Sequence, residues 1–110
     1  MTELLKKKCV PCKGGIPKLE GAVLQMMLKE VPGWALDGDK LRKIFRFHGF
    51  PQSIAFVNEM ARLAEEEDHH PNFCVDFHEV NVAIWTHAIG GLSENDFILA
   101  AKIDALPKSD

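Results

Sequence analysis

Glu65-Glu66-Glu67-Asp68-His69-His70-Pro71, answered further along by Thr86-His87, gathers three imidazoles and a string of carboxylates. Histidine both gives and takes a proton near neutrality, its unperturbed pKa being about 6.5. A carboxylate beside it can fix its tautomer and raise its basicity. Proton transfer by a paired acid and base is the chemistry such groups suit.

Two other readings compete on the residues alone. Histidine with Glu or Asp is also a common metal-ligand set. Glu65 and His69 stand one helical turn apart, yet no matching second pair follows, as it does in the His-Glu-x-x-His pattern of helical sites. That favours metal-free acid/base work over a metal. The third reading is a cluster of charges at a helix end with no chemistry, and the residues leave it level with the others. His48, beside Gly49, reads as a strand end, and His78, beside Phe77, as a surface position near a turn.

The elements that must hold these groups are written in the hydrophobic pattern. Leu24, Met27, Leu28 and Val31 recur at helical steps between Lys18 and Val31, and Pro32-Gly33 stops them. Trp34 to Asp37 and Leu41 to Phe47 predict a hairpin around Asp37-Gly38-Asp39-Lys40. Arg42 and Arg46 suggest that the second of these strands lies at a sheet edge. A second helix runs from about Pro51 to Glu66, with Ile54, Val57, Ala61 and Ala64 forming a stripe. Its acids fall at the carbonyl end, where each costs a few tenths to about 1 kcal/mol. Pro71 takes the chain out of helical geometry.

Phe73, Val75 and Phe77 then alternate as a half-buried strand, and Val80, Val82, Ile84 and Thr86 as another, with His87 at its end on the face of Trp85. A short hairpin between these strands brings His87 towards His69 and His70. Ser93 and Asp96 form a near capping box for a last helix, with Leu92 and Phe97 at staple positions. The order α-β-β-α-β-β-α, with tight strand connections, predicts an α+β two-layer domain: a four-stranded antiparallel sheet with three helices packed on it. Residues 1–17 read as an N-terminal arm and residues 18–110 as a single domain.

Composition bounds the function further. The chain has 110 residues, 46% of them hydrophobic, and a formal charge of −3. This provides one core and no field that would draw in nucleic acid or an anionic membrane. Lys6-Lys7-Lys8 reads as a solvated end rather than a binding patch. No apolar run approaches the roughly 18 residues of a membrane span, and Met1 to Lys8 lacks the apolar middle of a secretory signal. Three cysteines cannot all pair within one chain, so a reducing cytoplasm is the expected location. Cys9-Val10-Pro11-Cys12 has the spacing of a zinc half-site or redox pair, but lacks both the remaining ligands and the strand–helix setting. Unpaired thiols are the expectation there.

The run Glu65-x-x-Asp68-His69-His70-Pro71, through Val80 and Thr86-His87 to Gly91-Leu92-Ser93-Glu94-x-Asp96, resembles the pterin-4a-carbinolamine dehydratases. Pro32-Gly33-Trp34, the Phe-rich second strand and Cys9-x-x-Cys12 extend the resemblance over nearly the whole chain. It implies an enzyme that removes water from 4a-hydroxytetrahydropterin to give the quinonoid dihydropterin, in the recycling of tetrahydrobiopterin. His69 and His87 are then the acid/base pair, and His70 binds and orients the ring. Glu65 and Asp68 set the protonation and hydrogen bonding of the imidazoles, Pro71 and Phe73 support the site, and Asp96 acts as a more distant support. No cofactor or metal is implied, because the pterin is the substrate. The family pattern often has tryptophan where this chain has Phe73, and arginine where it has Asn95. The resemblance also implies a homodimer or homotetramer joined through the charged strand Leu41 to Phe47, and it admits an alternative: a non-catalytic interaction or assembly protein on the same fold.

Overall fold

A computed structural model describes residues 2–10 and 17–108. The elements are α1 (Thr2–Lys6), α2 (Gly21–Glu30), β1 (Ala35–Asp37), β2 (Lys40–Arg46), α3 (Phe50–Glu67), β3 (Asn72–Asp76), β4 (Glu79–Ile84) and α4 (Glu94–Asp104). A single 3-10 turn, His87–Ile89, separates β4 from α4. The four strands form one antiparallel sheet in the order β1-β2-β4-β3. The architecture is the α+β, four-stranded antiparallel arrangement that the pattern predicts.

Period-two alternation decides which face the helices cover. Leu41 lies opposite Ile84 and Phe45 opposite Val80, and all four are buried with Val82. These side chains meet Phe56 and Met60 of α3 and Phe97, Ile98, Ala101 and Ile103 of α4 in one core. An aromatic group anchors it: Phe45 and Phe56 have ring centroids 4.8 Å apart, and Trp34 meets Phe45 edge-on at 5.9 Å. Trp34 Nε1–H also donates to Asp104 Oδ2, whose other oxygen accepts from Lys43 Nζ at 2.8 Å. Each large aromatic buried this way contributes roughly 1.5–3 kcal/mol by area. The opposite face of the sheet carries no helix among the described residues. Lys40, Arg42, Asn81, Ala83 and Trp85 line a groove on that face.

Several sequence expectations are corrected. The strand from Leu41 to Phe47 is not simply an edge. Leu41 and Arg42 lie between β1 and β4, whereas Lys43 to Arg46 continue past β1 and, among the described residues, pair with β4 alone. A three-residue β1 is too short to cover them. The true far edge is β3, so only Val75 packs on the core; Phe73 is 44% exposed and Phe77, in the turn at φ +55°, 62% exposed.

Residues 2–10 are docked rather than trailing. Leu4 and Cys9 are buried in the core, Lys7 pairs with Glu94, and Lys8 Nζ donates to the carbonyl of Glu66 at 2.7 Å. The segment that carries Lys6-Lys7-Lys8 is anchored, because apolar Leu4 draws it onto α4, while all three lysines stay exposed to solvent as expected. Asn95 closes the clamp. Its Nδ2 donates to the Val10 carbonyl and its Oδ1 accepts from the Val10 N–H. Where arginine is the expected residue, this chain has an amide that matches a backbone donor and acceptor. Cys12 lies outside the described residues.

Candidate active site

The end of α3 is where the site begins. Asp68 caps the helix in the left-handed conformation, φ 53° and ψ 41°, a region that Asp and Asn tolerate better than most residues. This turn separates the next two side chains. His69 goes inward and is 6% exposed, while the His70 side chain is 56% exposed. Adjacent imidazoles thus acquire different surroundings from one backbone reversal.

His69 Nε2 lies 2.7 Å from Asp96 Oδ1, and Asp96 is fully buried. A carboxylate is acceptor-only, so this contact places the imidazole proton on Nε2. The second carboxylate oxygen accepts from Thr86 Oγ1 and from the Ser93 N–H, both at 2.8 Å. Thr86 has one hydroxyl proton. With that proton given to Asp96, Ser93 Oγ–H is the donor in its 2.8 Å contact with Thr86. The buried network runs Ser93 to Thr86 to Asp96, with His69 on the far oxygen. Asp96 is thus no distant support; it directly holds His69. The carboxylate predicted for that task, Asp68, takes no hydrogen bond among the described residues.

Asp96 reaches this position because it caps its own helix. Its side chain returns to the Ser93 N–H, the backward half of a capping box. Leu92 and Phe97, both buried, fix the chain entering α4. Thr86 and Ser93 are the members that sequence reasoning passed over as site residues. The near capping box, and the place of Thr86 next to His87, were the signals that could have found them.

His70 Nε2 lies 2.6 Å from Glu65 Oε2, an exposed pair. His87 opens the 3-10 turn rather than ending a strand, because β4 stops at Ile84. Its ring still lies against Trp85, with centroids 4.2 Å apart. Gly90, at φ +61°, closes that turn, and Thr86 N–H donates to the Gly91 carbonyl at 2.9 Å.

Asp68, His69, His70, Pro71, Asn72, Trp85, His87 and Ala88 line one cleft of about 400 Å³. All three singled-out histidines therefore border the same space, because β3 and β4 pair with Asn72 opposite Ala83. The size lies in the range of small-molecule sites, roughly 300–1,000 Å³. Glu65 joins through His70 and Asp96 through His69. Phe73 lines a neighbouring groove instead of the cleft. Among the described residues, no three of His, Cys, Asp and Glu are grouped so as to hold a metal ion.

Glu67, one residue before the cap, faces away from the cleft. It accepts from the Cys9 N–H at 2.9 Å and from Lys102 Nζ at 2.7 Å. Burial acts to raise its pKa, but the hydrogen bonds from Cys9 and Lys102, with the charges of Lys102 and Lys8, hold the carboxyl below its usual range. Lys8 and Lys102 also supply the positive charge that the acid-rich end of α3 lacks.

A two-layer α+β domain with an imidazole–carboxylate cleft at a helix–hairpin junction is the class of protein that fold and site define. The sequence model of the pterin 4 alpha carbinolamine dehydratases matches residues 17–106, and the chain belongs to that family. A Dechloromonas aromatica relative is 50% identical over 103 residues, covering 94% of this chain and 92% of its own. One from Rubrobacter xylanophilus is 46% identical over 107 residues, covering 96% and 100%. Both carry pterin-4-alpha-carbinolamine dehydratase as a provisional name. The crystal structure of a transcriptional coactivator/pterin dehydratase from Brucella melitensis superposes with a TM-score of 0.77 at 30% identity, over 81% of this chain and 97% of that one. A pterin dehydratase-like protein identified as a RuBisCO assembly factor in the alpha-carboxysome superposes at 0.59 and 33% identity, over 71% and 93%.

Proposed function

We propose that this protein dehydrates 4a-hydroxytetrahydropterins to the quinonoid dihydropterin by histidine acid/base catalysis. The observation that carries the reading is the single cleft bordered by His69, His70 and His87 in a chain of this family. Elimination requires one group to protonate the departing 4a-hydroxyl and another to accept the N5 proton. His69 and His87 take these roles. The Asp96 contact holds the His69 ring and its tautomer, and Trp85 backs the ring of His87. His70, oriented by Glu65, binds and orients the pterin. The pterin is the substrate, and the proposed reaction calls on no cofactor.

The test generates the 4a-hydroxytetrahydropterin in situ and follows its decay optically. Wild type accelerates the decay. His69→Ala and His87→Ala each slow it by about 10²–10⁴-fold, the usual worth of general acid/base help, with circular dichroism unchanged. Rates indistinguishable from wild type in both variants would defeat the assignment. A second reading, a non-catalytic interaction protein, draws on the neighbour identified as an assembly factor. Absence of any acceleration by the wild type would favour it.

A further inference from the structure

The cleft does not end at Trp85. A groove of about 500 Å³ on the helix-free face of the sheet shares Pro71, Asn72 and Trp85 with it. Its other lining residues are Lys40, Arg42, Phe73, Cys74, Asn81 and Ala83. None of these nine residues is acidic, in a chain whose formal charge is −3. Arg42 is partly committed, since its Nε–H donates to Asp37 Oδ2 at 2.7 Å and its Nη1 to Asn81 Oδ1 at 3.1 Å. Lys40 differs. It is half-buried and forms no ion pair among the described residues, its Nζ lying 4.7 Å from the centre of the Trp85 ring. That same indole supports His87 at 4.2 Å. One aromatic wall thus separates a proposed catalytic imidazole from an uncompensated cation.

Building on the dehydratase reading, we infer that this groove receives the side chain of the pterin, and that Lys40 selects substrates whose side chain ends in an anion, a phosphate or a carboxylate. A pterin ring in the histidine cleft can extend a substituent along the rim that the cleft shares with this groove. It crosses Pro71 and Asn72 towards Lys40. There an ammonium offers three donors to an anionic terminus, and Arg42 Nη2 adds further positive character beside it. The polar Asn72 and Asn81 line the path with donors and acceptors for a chain of hydroxyls. A neutral, short substituent gains nothing from this cation.

Stable oxidised pterins test the groove independently of turnover. Calorimetry with 6-hydroxymethylpterin and with its phosphate monoester compares one ring with neutral and anionic ends. Wild type binds the ester roughly three- to tenfold more tightly at low salt, the scale of a partly exposed ion pair. In Lys40→Gln the ratio falls to within about twofold. In wild type, raising the ionic strength shrinks the ratio in the same way, and this measurement needs no variant. Equal affinities for the two ligands in wild type, or a preference that survives both Lys40→Gln and high salt, would overturn the inference. The dehydratase reading fails separately, by absence of accelerated decay with a 6-methyl substrate. Accelerated decay together with equal affinities would sink the groove alone.

Discussion

At the scale of single residues, the inner wall of the site is a buried polar chain, Ser93 to Thr86 to Asp96 to His69, with every member partnered. Among the described residues no buried side-chain nitrogen or oxygen lacks a hydrogen bond. Such networks are stable only when complete, because stranding a buried group costs about 1–3 kcal/mol while a formed bond returns less. Thr86 is the middle link, accepting from Ser93 and donating to Asp96. Thr86→Val strands the Ser93 hydroxyl and one interaction of the carboxylate at once. We expect it to lower stability by about 1–3 kcal/mol, read from denaturant midpoints. Ser93→Ala, which removes both the terminal donor and the hydroxyl that caps α4, should cost about 0.5–2 kcal/mol. The double variant should cost less than the two single losses added, since both act on one chain of bonds. Strict additivity would mean that Ser93 and Thr86 are not linked.

Elements set where these residues can meet. The C-terminus of α3, the 3-10 turn after β4 and the N-terminus of α4 converge, and each supplies a part: His69 and His70, then Thr86 and His87, then Ser93 and Asp96. The half of β2 from Lys43 to Arg46 has a different consequence. It has β4 on one side and, among the described residues, no strand on the other, and Ile44 there is 38% exposed. An unpaired strand side is a template for another strand. We propose that two copies pair through it, giving a homodimer or a larger homo-oligomer. Sedimentation velocity at micromolar concentration should show a species of at least twice the chain mass. Monomer alone would refute the pairing.

For the molecule as a whole, the N-terminal segment and the two long helices are tied together by Glu67, which bonds to Cys9, from the segment, and Lys102, from α4. Its folded pKa lies below the ordinary value of 4.5. A depressed carboxyl stabilises the fold above the unfolded pKa, and that contribution is lost as pH falls through the folded one. Thermal midpoints should therefore decline below about pH 4.5 as Glu67 protonates. Glu67→Gln should start less stable at pH 7 and show a shallower acid dependence between pH 5 and 3. An unchanged slope would place the acid sensitivity elsewhere. No helix among the described residues is long and apolar enough to cross a membrane.

Most of the fold was readable in the chain because its signals are local. Helical spacing in α3, alternation in β4, Pro32-Gly33 and the Ser93/Asp96 cap each act within a few residues. The histidine set was legible for the same reason: residue type and spacing name the groups. Tertiary structure alone decided which carboxylate serves which imidazole, turning Asp96 rather than Asp68 onto His69. It also decided that the Lys-rich start docks on α4 and that Lys40 stands beside Trp85. Partnership between groups far apart in sequence depends on strand order and on the direction in which a capped helix leaves its turn. Those follow from the packing of the whole core, which periodicity in one segment does not encode.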